Sequence, residues 1–146
     1  QASWVKADWF AKQKMPVTEL LNAALNEAQL SSKGSDATPD NWQALAETHL
    51  RIAGTVALRK NREHHILEGL SAVQKLLMVN PNHALGLRTQ AALLFLGTEH
   101  QSDDSKKAKD LKEVIRLLEL AFRSDQFLES AFRLDLELAR MQLAKY

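Results

Sequence analysis

Apolar side chains recur three and four residues apart through most of this 146-residue chain. Leu20, Leu21, Ala24, Leu25 and Ala28 keep that spacing, and so do Leu87, Ala91 and Leu94. A period near 3.6 places such positions on one helix face, whereas a half-buried strand alternates every second residue. No segment sustains that alternation, so the chain reads as all-α, with six to seven helices. They are expected at about Ser3 to Lys12, with Trp4, Val5 and Trp9 on one side, and from Pro16 or Val17 to Leu30. Others are expected from Asp40 to Arg59, Arg62 to Val79, Asn82 to Glu99, Asp104 or Ser105 to Ser124, and Gln126 to about Lys145. The breaks carry their own chemistry. Ser31 to Pro39 is a loop of Gly and small polar residues, Pro39 and Asp40-Asn41 form a capping region, and Pro81 follows Asn80 where one helix stops before the next.

The pattern also repeats at long range. Trp42, Leu87 and Phe132 are 45 residues apart, and Ala46, Ala91 and Leu136 keep the same offset. Gly69 with Val114, Val73 with Leu118, Leu76 with Ala121, and Asn80-Pro81 with Asp125-Gln126 extend the register. A period of 20 to 50 residues marks a stacked array whose copies bury one another's faces.

Within each copy the order of large and small residues resembles the tetratricopeptide repeat. Leu87, Ala91 and Leu94 match that family's first-helix set, and Gly69, Val73, Leu76 and Pro81 match the closing set of its second helix. This chain differs in length: its copies have 45 residues against the family's 34, with the added 11 falling at about Gly54 to His64 and Glu99 to Leu111. Gln126 also stands where the family has Pro, and Val114 where it has a small residue. The long form is similar to helical repeats attached to larger bacterial signalling proteins, including serine/threonine kinases, although no kinase motif is present. The resemblance implies a single domain over residues 1–146, a right-handed α-solenoid of antiparallel helix pairs. Its parts would be an N-terminal pair and loop (1–39), two copies (40–84 and 85–129) and a final helix (130–146).

Composition narrows the chemistry. With 45% hydrophobic and 25% charged residues, the chain has the makeup of one small globular domain. The 19 basic side chains are interspersed with 18 acidic ones, which does not give the basic surplus of a nucleic-acid binder. The absence of cysteine excludes disulfides, thiolate metal sites and cysteine nucleophiles, and leaves the compartment open between cytoplasm and periplasm. No apolar run reaches the roughly 18 residues needed to span a bilayer. Gln1 in first place instead of Met reads as a fragment or a processed form.

Catalytic constellations are missing from the pattern. There is no Gly-x-Ser-x-Gly elbow, no Gly-rich phosphate loop and no His-Glu-x-x-His, so no enzyme activity and no cofactor are expected. His64-His65 is the one candidate metal pair, with His83, His100, Glu63 or Glu68 as partners. Adjacent helical residues point about 100° apart and cannot share an ion without strain, so a polar helix start is the expected reading. Asp103-Asp104 reads as a helix cap, and Lys106, Lys107 and Lys109 as the solvated face beyond it. Trp4, Trp9 and Phe10 read as packing of a terminal cap rather than as an interfacial anchor.

What remains is binding. In tetratricopeptide proteins the first helix of each pair lines a concave groove. The matching positions here are Gln43, Glu47, Leu50 and Arg51, then Arg88, Ala92 and Phe95, then Arg133, Glu137 and Arg140. Four of these ten are Arg, which suits a protein or peptide partner carrying carboxylates and an apolar anchor. The family's Lys and Asn clamp for a terminal carboxylate is not reproduced, and the alternative is that these Arg residues pair with Glu47, Glu137 and their neighbours. Two further expectations follow: a regulatory domain of a larger enzyme, such as a kinase, and self-association through the C-terminal helix, with Phe132, Leu136 and Leu143 exposed.

Overall fold

A computed structural model describes residues 17–34, 36–55 and 61–146. The helix expected at Ser3 to Lys12, with its aromatic residues, lies outside the described residues. Among the described residues the fold is all-helical, with six helices: α1 (Val17–Ser32), α2 (Pro39–Gly54), α3 (Arg62–Val79), α4 (Ala84–Thr98), α5 (Asp104–Ser124) and α6 (Gln126–Leu143). Contacts group the chain into two compact units, Gln1–Lys75 and Leu76–Tyr146, and the division falls inside α3.

Each boundary has a local cause. At the start of α2, Asn41 Oδ1 accepts from the Thr38 backbone N–H at 2.8 Å and its hydroxyl at 3.1 Å, while Pro39 sits at the first position, where no N–H is needed. This helix ends at Gly54, short of the expected Arg59. Thr55 turns extended (φ −84°, ψ 122°) and its hydroxyl donates back to the Arg51 carbonyl at 2.7 Å. α4 starts at Ala84, two residues later than expected, because His83 is its cap: Nδ1 accepts from the Gly86 N–H at 2.9 Å. Asp103 caps α5, accepting from the N–H groups of Ser105 (2.9 Å) and Lys106 (3.3 Å). The added length of this copy is split between the turn at residues 99–103 and the first turns of the 21-residue α5.

In the first unit α1 lies against α2 through Leu21 and Ile52, with Leu20 and Leu25 beside them. The buried Arg62 at the start of α3 donates from Nε to the Ala53 carbonyl at 2.7 Å, tying α3 to the end of α2. In the second unit one cluster takes Leu87 and Ala91 from α4, Val114, Leu117, Leu118, Ala121 and Phe122 from α5, and Leu136 and Ala139 from α6.

The 45-residue register pairs some positions of like burial and not others: Leu87 is buried where Trp42 and Phe132 are half-buried, and Gly86, Thr89 and Leu93 are buried where Ala131, Leu134 and Leu138 are exposed. Ala46, Ala91 and Leu136 are all buried, as are Val73 with Leu118 and Leu76 with Ala121. Burial at matched positions is what a repeat in sequence requires, since small and bulky residues recur only where packing recurs.

Candidate interaction site

The first unit holds one polar contact the sequence did not announce. His49 of α2 is buried, and its Nδ1 lies 2.9 Å from Nδ1 of the half-buried His65 on α3. At that distance one ring donates its N–H to the bare nitrogen of the other, so the pair holds a single proton between the two atoms. Burial lowers the His49 pKa to about 4, and the neighbouring His65 and His64 add to the shift. His65 is lowered as well, by burial and then His64, with Glu68 opposing. His65 is therefore a helix-to-helix hydrogen-bonding residue rather than part of a solvated helix start. Its ring also meets His64 edge-on, with centroids 5.3 Å apart. His83, another of the candidate ligands, is committed to capping α4. Among the described residues no group of three His, Asp or Glu side chains could hold a metal ion. A cleft of about 380 Å³ opens beside the pair, lined by Trp42, His49, Glu68, Ser71 and Lys75 among others.

The α2 positions expected to face a partner are half-buried: Gln43, Glu47, Leu50 and Arg51. Gln43 Nε2 donates to Glu47 Oε2 at 3.3 Å, one turn along the same helix.

The second unit brings together three of the expected residues. Arg133, Glu137 and Arg140 of α6 line a cleft of about 590 Å³ with Glu119 and Arg123 of α5 and Glu129 of α6. Two of its three arginines are already engaged. Arg140 donates to Glu119 at 3.1 Å across the α5–α6 seam, and Arg133 lies 3.6 Å from Glu137 one turn on. Three cations face three carboxylates, so the cleft has no surplus for an acidic partner to satisfy. Arg88 and Phe95 do not line it. The guanidinium of Arg88 lies 4.0 Å from the centroid of the Phe132 ring, and Phe95 packs against the α4–α5–α6 cluster. Lys107, expected in solvent, sets its amino group 5.8 Å from the Tyr146 ring.

The exposed apolar residues of α6 are not the expected ones. Leu136 is buried and Phe132 and Leu143 are half-buried, because α6 turns that face toward α5. Phe127 (86% exposed), Leu134 (65%), Leu138 (39%) and Met141 (65%) stand in solvent instead. Ala131 is exposed beside them. Positions 127, 131, 134, 138 and 141 are spaced alternately four and three, which is a continuous stripe along a helix. A break in that helix at Phe132 (φ −124°, ψ 15°) falls between Ala131 and Leu134, so Leu134, Leu138 and Met141 form its regular part. The spacing was present in the sequence. Phe132, Leu136 and Ala139 make a second apolar stripe on the same helix, and periodicity alone does not say which of two stripes faces inward.

No helix among the described residues is long and apolar enough to cross a membrane. The chain has no significant match to protein-family models, curated proteins or solved structures.

Proposed function

We infer that the protein is an interaction module that binds a segment of another polypeptide on its second unit, along α6. The observation that carries this is the outward stripe of Phe127, Leu134, Leu138 and Met141. Single exposed apolar residues are ordinary, but a contiguous file of large ones beside a charged cleft is the makeup of a binding surface, with an apolar centre and a polar rim. The Arg133–Glu137 and Arg140–Glu119 pairs belong to that rim and give register more than affinity. Like burial at Ala46, Ala91 and Leu136, at Val73 with Leu118 and at Leu76 with Ala121 supports reading α2–α3 and α4–α5 as helix pairs of a tetratricopeptide-like, right-handed solenoid, an architecture suited to presenting such faces.

A displayed peptide library selected on the full chain, and counter-selected on Leu138→Asp, tests the reading. Sequences that bind the parent and not the variant are expected. No enrichment over the variant would overturn it.

A further inference from the structure

We propose that the cleft of about 380 Å³ beside the histidine pair binds a small aromatic carboxylate that carries a hydroxyl at the far end of its ring. The site lies within the first unit and does not depend on α6. Its inner surface holds a polar atom that the protein leaves without a partner. His49 is 2% exposed and lines the cleft, and its Nδ1 is taken by His65. The two ring centroids are 5.2 Å apart, the separation of imidazoles whose facing nitrogens point straight at each other, so Nδ1 serves no second group. Among the described residues no group hydrogen-bonds Nε2, and Nε2 is not one of the side-chain atoms cut off from open space. Because the pair holds one proton between the two Nδ1 atoms, Nε2 of His49 donates when its Nδ1 accepts and accepts when its Nδ1 donates. A hydroxyl both donates and accepts, so it meets either tautomer, whereas an ammonium meets one.

Charge sets the direction of the ligand. Arg62 meets Ala53 and His65 meets His49, so contacts climb α3 as they descend α2. His49 therefore shares its end of the cleft with Glu68, one turn beyond His65, and Trp42 shares the other end with Lys75. Trp42 precedes His49 by seven residues and Lys75 follows Glu68 by seven, two helical turns or about 10 Å in each case. Lys33, in the short loop between α1 and α2, joins the Trp42 end. Among the described residues neither lysine is ion-paired. One end thus presents two ammonium groups beside an indole, and the other a carboxylate beside a buried imidazole. A ligand carboxylate belongs with Lys33 and Lys75 and is repelled by Glu68; the ring then lies against Trp42 and Leu45, and the hydroxyl reaches Nε2 of His49. An α-amino acid fits poorly, because its ammonium would stand beside the two lysines together with the carboxylate.

The test titrates the isotope-labelled full chain with para-hydroxyphenylpropanoate at pH 7.5, where His49 is neutral, and follows backbone and indole N–H shifts by NMR. Phenylpropanoate, which lacks the hydroxyl, and tyramine, which lacks the carboxylate, are titrated in parallel. Saturable binding of the first is expected in the low millimolar range or tighter, with shifts centred on Trp42, His49 and Ser71, and each of the other two should bind at least ~10-fold more weakly. Lys33→Gln with Lys75→Gln should bring para-hydroxyphenylpropanoate down to the level of tyramine, with melting unchanged because both lysines are exposed. His49→Phe should abolish the preference for the hydroxyl, and if that variant does not fold the lysine variant decides alone. Absence of saturation, equal affinity for the three compounds, shifts centred away from the cleft, or affinity unchanged by the lysine substitutions each overturns the proposal. Tighter binding of tyramine also overturns it, in favour of a cationic ligand.

Discussion

His49 and His65 meet nitrogen to nitrogen, Nδ1 to Nδ1 at 2.9 Å, where α2 and α3 come together in the first unit. The contact exists only while at least one ring is neutral. Protonating both would place two donors and two positive charges face to face, with one ring removed from water.

Stability of the first unit should therefore fall with acid. In the unfolded chain His49 titrates near the ordinary histidine value of 6.5, and in the fold its pKa is lowered to about 4. The unfolded state binds more protons through that interval, so this contribution is fully present above about pH 6.5 and is lost as pH falls toward 4. The shift corresponds to ~3 kcal/mol at most, with no further loss from this group below the folded value. Urea unfolding at intervals from pH 7.5 to 4 measures it. His49→Gln should start less stable and show a shallower slope across the window, and an identical slope would rule the pair out as the cause.

The helices were readable because apolar spacing and capping act locally. The start of α5 and the span of α3 agree with expectation since Asp103 caps its own helix and Arg62 to Val79 is bounded by polar breaks. What was not readable depends on which neighbour arrives. His49 and His65 are 16 residues apart, and only the docking of α2 on α3 joins them. The two stripes of α6 differ little in sequence, and tertiary packing chooses Phe132, Leu136 and Ala139 for the interior. Of the expected partner residues, Arg133, Glu137 and Arg140 share a cleft, while Arg88 and Phe95 are drawn into packing.

Gly86 and Gly97, both in α4, should respond to alanine with opposite sign. A Cβ at Gly86 would fall 2.7 Å from Leu76 Cδ2 and 3.3 Å from the capping His83 Nδ1, and Leu76 has no exposed surface into which to retreat. Gly86→Ala should cost about 1–3 kcal/mol through overpacking. Nothing lies within 4 Å of a Cβ at Gly97, so Gly97→Ala should gain about 0.5–1 kcal/mol from helix propensity alone. Melting temperatures of the two variants check the contrast.

The cap of α5 offers a cleaner number. Asp103 accepts from two N–H groups that otherwise have no helical partner, and its charge sits at the positive end of the helix. Asp103→Ala should cost about 1 kcal/mol, whereas Asp103→Asn keeps the acceptor and should recover most of it. Denaturant midpoints at pH 7 separate the three proteins.

Arg88 over Phe132 joins α4 to α6 at the point where α6 departs from helical geometry, the stacking a guanidinium makes on an aromatic face. Arg88 makes further interactions, so a single substitution there mixes several losses. A double-mutant cycle with Arg88→Gln and Phe132→Leu isolates the pair, and a coupling of about 0.5–1 kcal/mol is expected for a partly exposed cation–π contact. The same substitutions bear on α6 as a docking face. If the contact sets the break at Phe132, Phe132→Leu should change the hydrogen-exchange protection of Arg133 to Asp135 more than that of Leu138 to Arg140. Equal protection in parent and variant would mean that the break comes from the α5–α6 packing instead.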